Sequence, residues 1–505
     1  MGVTTETEVL VVGGGLVGLA SAAFLARQGV ATTLVERHPS TSVHPKARLV
    51  TVRNMELYRS IGIESAVRSA GEPSSGFVVA DSLSGDLTSW IAPPAEEVEA
   101  ADLSPTTPFS CDQQRLEPIL LNAARGLGAE VHFGTTASEI AQLADAVDVR
   151  IDGPNGEQTI RARFVVAADG SRSGLRQQLG IAMSGTEVPG ESVSALFRAD
   201  LEPALRGRTA DAVFCRAAGA FLFARGNGAD RRWQLGTYVR PEWKGRDPSD
   251  LADELTEVLR AATGLPDVQP ALEDIAFWRT GAFVADRFRS GRVFLVGDAA
   301  HVMPPYGGLG GNTGVQDAHD LAWMLAAVVR GNAPERLLNR YEAERRPIDQ
   351  LTVDQALLRS RKAPGQVQAD GQVDALRLSL GIRYGTDDTA GFDDPATPTM
   401  ADGTRAPHLT LRDGRSILDL LDSRSFTLIA ADDLAADDPR VHAVSVHPAD
   451  IDPRHSARWA STYGRAPGHL LRPDGMLTGV VTCAEDVARL VDRALAITPG
   501  SAEAR

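Results

Sequence analysis

Three short stretches of the chain set glycine and aspartate at spacings suited to holding a dinucleotide. Gly13-Gly14-Gly15-Leu16-Val17-Gly18 directly follows the apolar run Glu8-Val9-Leu10-Val11-Val12 and opens a stretch of helical apolar spacing. A GxGxxG in that setting has a physical reading. Gly13 permits the tight turn, Gly15 lets the backbone approach a pyrophosphate, and Gly18 allows helix and strand to pack closely. The helix N-terminus, with Leu16 and Val17 in its first turn, offers free N–H groups and a positive dipole end. Glu36 closes the next apolar run, about 20 residues on, where a carboxylate accepts hydrogen bonds from ribose hydroxyls. A carboxylate there suits a nucleotide without a 2′-phosphate.

The other two stretches end buried runs in an acid. Val165-Val166-Ala167-Ala168-Asp169-Gly170 stops at Asp169, and Phe294-Leu295-Val296-Gly297-Asp298 stops at Asp298. Strand C-termini in open α/β sheets converge on the ligand crevice, so Asp298 is placed to hold polyol hydroxyls and Asp169 to organise the pyrophosphate region. A glycine- and proline-rich segment, Pro304 to Gly314, follows and precedes a strongly apolar helix. His301 and His319 receive no catalytic role, being of the kind more often packed in a fold or loop, and Tyr306 could face a ligand or simply shape the turn.

Residues 7 to 37 read as strand, glycine turn, helix and strand, a βαβ unit. Segment 76 to 104 alternates weakly, 115 to 127 returns to helical spacing, and 185 to 284 is dominated by strand-like pieces with one helical stretch near 249 to 262. Arg292 to Val296 is again a buried strand, and a helix runs from about Asn312 to Val329. Past about 395 come shorter strands, Phe426 to Ala430 and Val441 to Val446, and a last helix near 484 to 496. The expected class is α/β, with a Rossmann-like domain interrupted by a β-rich insert and followed by a separate C-terminal domain.

Composition narrows the partners. With 66 acidic against 51 basic residues the formal charge is −15, which disfavours nucleic acid and anionic membrane. No run approaches the ~18 apolar residues a transmembrane helix needs. Cys111, Cys215 and Cys483 lie far apart with no CxxC, so neither a disulfide framework nor a zinc site is expected, and a reducing cytoplasm fits. The metal expectation is none.

Together GGGLVG, AADGSRSGLR and LVGDAAHVMPPYGGLGGNTGVQDAHDLAWML resemble the three sequence marks of the single-component FAD-dependent aromatic hydroxylases, the flavoprotein monooxygenases typified by the hydroxylation of p-hydroxybenzoate. Phe24-Leu25-Ala26-Arg27-Gln28-Gly29-Val30, Asn54-Met55-Glu56-Leu57 and Arg472-Pro473-Asp474-Gly475 extend the likeness to the aromatic polyketide hydroxylases of antibiotic biosynthesis. The resemblance implies an FAD domain of residues 1–75, 105–184 and 285–394, a substrate domain of 76–104 and 185–284, and a thioredoxin-like C-terminal domain of 395–505 without redox cysteines. It adds Arg37, Arg53 and Gln113 as cofactor contacts, beside Leu16, Val17, Pro305, Gly311 and Asn312. One departure is Pro45-Lys46-Ala47 where relatives often carry Pro-Arg-Ala, which trades a forked cation for a point charge and leaves open whether Arg48 takes over.

The implied chemistry belongs to the flavin: hydride from NADPH or NADH reduces it, O2 adds at C4a, and the hydroperoxide hydroxylates an electron-rich ring. The protein would bind the ring system, stabilise negative charge on its reduced form and exclude water. The loop with Pro304, Gly307 and Gly310 is assigned that work, through backbone N–H groups of a helix opening near Asn312 and Thr313. Arg383, in Gly381-Ile382-Arg383-Tyr384, is a further candidate, for polarising a substrate carbonyl. The expected substrate is a bulky polycyclic phenol, with a homodimer left open. Baeyer–Villiger oxygen insertion on the same scaffold, and a flavin-binding module without turnover, are the alternatives.

Overall fold

The computed structural model describes residues 4–42, 47–86, 102–226, 228, 231–361, 370–385, 389–431, 434 and 437–496. Pro45 and Lys46, and residues 87–101 of the expected insert, lie outside them.

The chain begins with strand β1 (Thr4–Val12), helix α1 (Leu16–Arg27) and strand β2 (Thr32–Glu36). Val9 to Val12 and all of β2 are buried, as parallel strands covered on both faces must be. Helix α1 is apolar on nearly every side, with ten of its 12 residues buried. It packs between the helices Gln113–Gly126 and Leu309–Val329, and Gly29, at φ +79°, turns the chain back after it.

The main sheet has eight strands. Its path runs Arg289–Ser290, Val293–Leu295, Gly156–Ala167, β1, β2, Glu130–Phe133, with Val147–Gly153 and Thr136–Gln142 added beside Gly156–Ala167. The chain crosses from β2 on one side of β1 to Gly156–Ala167 on the other, which opens a crevice at the strand ends.

A second sheet of six strands takes the order Ala271–Trp278, Ser192–Arg198, Arg232–Tyr238, Ala220–Arg225, Ala212–Cys215, Phe77–Ala80. One face packs on the helix Ala252–Thr263 in its own apolar core, with Leu222, Leu235, Leu255 and Leu259 at its centre. A four-stranded sheet, Val441–Ser445, Phe426–Ala430, Gly468–Leu471, Leu477–Val481, lies near the C-terminus. Among the described residues no helix is long and apolar enough to cross a membrane.

Candidate FAD-binding site

Four parallel strands end in step. Val12 is level with Ala167 and with Val35, and Ala167 with Leu295. Gly13, Glu36, Asp169 and the Gly297-Asp298 turn therefore leave the sheet along one edge, which is how motifs far apart in sequence come together.

The glycines of the first motif are there for different reasons. Gly13 has φ +108°, and a Cβ on it would lie 2.3 Å from the Ala168 carbonyl oxygen. A Cβ on Gly18 would lie 1.8 Å from the Gly13 oxygen. Both are required by the protein's own packing. At Gly15 a Cβ would meet nothing nearer than Glu117 Oε1 at 3.9 Å, so the fold leaves space in front of this residue. Helix α1 has no side-chain cap and no acid in its first turn, leaving its leading N–H groups without a side-chain partner among the described residues. Open space before uncapped N–H groups is the cradle a pyrophosphate fills.

Glu36 accepts hydrogen bonds from the Gly14 N–H and from the backbone and ring of His38. Burial opposes its charge, but the N–H groups of His38 and Gly14 hold its carboxyl below the usual range. It is an ionised acceptor at the end of β2. Arg37 is exposed beside it. Asp169 accepts from the Leu175 N–H at 3.2 Å through Oδ2, while its Oδ1 is buried with no hydrogen-bond partner among the described residues. A buried acceptor in that state is costly until something donates to it, and a polyhydroxylated cofactor would. Asp298 stands exposed at the same edge.

The third motif is fitted against the first. Val17 fills the gap between Gly297 and Gly314: a Cβ on either would come within 2.9 and 2.6 Å of its Cγ2. A Cβ on Gly311 would lie 3.1 Å from Leu16 Cδ2. Leu16 and Val17 thus act through packing, holding the two glycine-rich helix ends face to face. The second helix starts at Leu309, three residues earlier than expected, because Gly308 adopts a left-handed cap at φ +64°. Its N–H groups at Leu309, Gly310 and Gly311 have no intrahelical partner, and no side chain among the described residues caps them. Pro304 is buried, Pro305 is exposed and accepts from the Gly308 N–H at 3.1 Å, and Gly307 sits at φ +89°.

Other expected contacts are placed differently. The Asn312 side chain is fully engaged by protein, donating to the Leu49 and Gly308 carbonyls and accepting from the Thr51 N–H. Gln113 accepts from the Ala47 N–H at 3.2 Å and donates to Glu117 at 2.6 Å. It lines a small pocket with Leu16, Ala47, Leu49, Leu116 and Asn312. Arg53 is bound to Glu56 and to the Asp474 carbonyl, and lines a different small pocket with Tyr384 and Met476. Arg48 is buried among Glu72, Asp112 and Asp211, so its charge is already matched. Arg383 is tied to Asp393 at 2.8 Å and to the Thr389 carbonyl within a small hairpin.

Behind the third motif lies a buried charge network. Asp317 Oδ2 accepts from the Gly297 N–H at 3.0 Å and contacts His301 Nε2 at 2.7 Å, and Asp317 Oδ1 accepts from Arg345 Nε at 2.8 Å. Arg345 also binds Asp349 at 2.7 Å, so a guanidinium supplies the positive charge at this His-Asp-Asp trio. His319 instead packs edge-on against Phe24 at 5.0 Å.

An aromatic surface went unread in the sequence. Phe77, Phe214, Phe221 and Phe223 lie on the face of the six-stranded sheet opposite its own core, and the Tyr306 ring of the glycine-rich loop meets Phe221 at 6.1 Å. The period-two pattern Phe221-Leu222-Phe223 was the available signal.

The FAD binding domain family model matches residues 6–356. The chain belongs to that family. Within it, 4-methyl-5-nitrocatechol 5-monooxygenase of a Burkholderia species is 41% identical over 84% of this chain and 82% of its own. Aklavinone 12-hydroxylase RdmE of Streptomyces purpurascens is 37% identical over 94% and 95%. The crystal structure of aklavinone-11 hydroxylase with FAD and aklavinone superposes with a TM-score of 0.86 at 33% identity, covering 97% of this chain and 99% of that one. The chain is a member of the FAD-dependent aromatic hydroxylases, a monooxygenase whose cofactor is FAD.

Proposed function

We propose that the enzyme hydroxylates a bulky polycyclic phenol of the aromatic polyketide type, with NADPH or NADH as hydride donor and O2 as oxidant, in the cytoplasm. The observation that carries this reading is the contact of Tyr306 with Phe221, which sets the aromatic face of the six-stranded sheet against the Pro304–Gly308 loop. Flat aromatic molecules are held by such faces, through area and ring stacking. The relatives named for aklavinone and for a nitrocatechol act on aromatic rings, which supports the same class. Three free cysteines, two of them buried, suit a reducing compartment.

The chain's own residues divide the work of holding FAD. Gly15 and the first N–H groups of α1 receive the pyrophosphate, with Asp169 organising that region, Glu36 holds the adenosine ribose, and Asp298 the polyol hydroxyls. Bound there, the flavin supplies hydride acceptance and oxygen activation. The N–H groups of Leu309, Gly310 and Gly311 stabilise negative charge on the ring system, as fixed dipoles needing no reorganisation. The aromatic face orients the substrate and excludes water.

The test is NAD(P)H consumption by the FAD-loaded enzyme across a panel of multi-ring phenols, with NMR of the product. At least one phenol should raise consumption and return with a new ring hydroxyl. Consumption indifferent to every phenol, or oxygen placed between two carbons, would overturn the reading.

A further inference from the structure

We propose that Tyr306 and Tyr238 form a paired-phenol site that recognises a ring hydroxyl of the substrate, and so selects which ring carbon is presented to the flavin. This rests on the aromatic-substrate reading above and gives it a specificity-determining element.

The aromatic face supplies area but no orientation. Phe214 sits opposite Phe221 across the strands, with ring centroids 4.7 Å apart; Phe223 stacks on Phe221 at 5.8 Å and Phe77 lies 6.1 Å from it. Phe77 is 41% exposed, an apolar surface with room for a ligand. Phe221 faces Gly236 on the next strand, where a Cβ would meet only Phe223 at 3.6 Å, so the sheet has a recess beside the rings. A flat molecule could slide or rotate on such a floor. Fixing it needs a polar contact.

The polar groups nearby are not equally available. Gln234 Oε1 already accepts from Arg225 at 2.6 and 3.0 Å. Tyr238 and Tyr306 differ: their hydroxyl oxygens lie 3.2 Å apart, one strand and one loop joined by a single hydrogen bond. Two phenols bring two O–H donors, and one bond between them uses one. The other donor, and lone pairs on both oxygens, remain for a ligand. Burial, with the neighbouring Tyr238, raises the Tyr306 hydroxyl well above the ordinary phenol range, so it stays a donor at neutral pH.

The placement matters as much as the chemistry. Tyr306 stands between Pro305 and the left-handed pair Gly307 and Gly308, and Gly308 caps the helix whose free N–H groups are assigned to the flavin. A substrate hydroxyl bonded to Tyr306 is therefore held by the same short segment that positions the ring system.

The experiment uses the oxidised, FAD-loaded protein without reductant, titrated with 2-hydroxyanthraquinone and with 2-methoxyanthraquinone, binding being read from the flavin absorption band. Wild type should bind the hydroxy probe about tenfold more tightly than the ether, the worth of one hydrogen bond in a partly buried site. Y306F and Y238F should each bring that ratio close to one while leaving the ether's Kd unchanged, a pattern that general loosening would not give. An unchanged ratio in both variants would overturn the pair; if F221A still weakens both probes, the aromatic face survives. If wild type binds neither probe, or F221A alters neither, the aromatic-face reading fails and the pair falls with it.

Discussion

At Gly15 a side chain would enter open space, whereas at Gly18 it would strike the Gly13 carbonyl oxygen at 1.8 Å. Two glycines of one motif therefore make opposite predictions. G15V should purify folded, with unchanged far-UV circular dichroism, but colourless, because its methyl groups occupy the space meant for a pyrophosphate. G18V should lose folded yield, since backbone must move to admit it. A yellow, FAD-replete G15V would remove the Rossmann assignment. His301 yields a prediction of another kind. Burial works against its charge, yet Asp317 and Asp349 raise its pKa to about 9, above the ordinary 6.5. Its contribution to stability is then fully present below pH 6.5 and is lost as pH rises through about 9. Unfolding by urea should show stability falling between pH 7 and 9.5 in wild type and a flatter profile in H301Q; parallel profiles would mean that His301 is neutral. Composition and spacing made Gly13, Gly15 and Gly18 legible because their constraint is local. The network around His301 was not, since its partner Asp349, and the Arg345 that pairs with both aspartates, arrive from a later helix.

Among elements, the helix Leu309–Val329 shows where local propensity misleads. Leu309-Gly310-Gly311 reads as loop because glycine is a poor helix former, costing about 1 kcal/mol per residue against alanine. In the fold, Gly308 caps the helix and Gly311 and Gly314 are needed for contact with Leu16 and Val17, so packing outweighs propensity. The consequence is a shift of the assigned N–H groups from Asn312 and Thr313 to Leu309, Gly310 and Gly311. G310P is the cleaner probe of that assignment: a Cβ there meets only Met303 at 3.5 Å, and proline is tolerated in a helix's first turn. It deletes one uncapped N–H and little else. FAD affinity should change by about threefold or less, the scale of a marginal hydrogen bond, while hydrogen peroxide formed per NAD(P)H consumed should rise clearly above wild type. An unchanged peroxide yield and rate would make the loop a structural connection. The strand Ala220–Arg225 falls in the stretch that was legible as strand-like, but which of its faces meets the loop depends on the tertiary position of Tyr306.

Across the whole molecule, the strands that return to the main sheet, Gly156–Ala167 and Val293–Leu295, were legible because each is a buried run followed by Gly or Asp. How the C-terminal sheet attaches was not. Phe426, Leu428, Leu470, Val487 and Leu490 belong to one continuous apolar core with β1, α1 and the Leu309–Val329 helix. The Arg-Pro-Asp-Gly turn, noticed in the sequence only as a likeness, supplies the polar half of that junction. Asp474 accepts from Trp323 Nε1 at 2.9 Å and pairs with Arg472, which also reaches Glu344 at 2.7 Å. Arg53, expected at the cofactor, belongs to the same seam through the Asp474 carbonyl.

Trp323 lies on the helix whose N-terminus is assigned to the flavin, so damage to the seam should be felt at the cofactor. D474N keeps the side chain's size but removes a charge from a fully buried pair, leaving Arg472 undercompensated, a change that typically costs about 3–5 kcal/mol. Loss of stability alone would show only that the pair is structural. The discriminating measurement is thermal unfolding of the FAD-loaded variant followed by flavin fluorescence and by far-UV circular dichroism together. If the C-terminal sheet and the FAD domain share one core, both signals should shift to lower temperature by the same amount and remain superimposed, as a single cooperative unit requires. A variant whose C-terminal structure melts first, with flavin still bound at the wild-type temperature, would show that the junction is a docking contact with no bearing on the site.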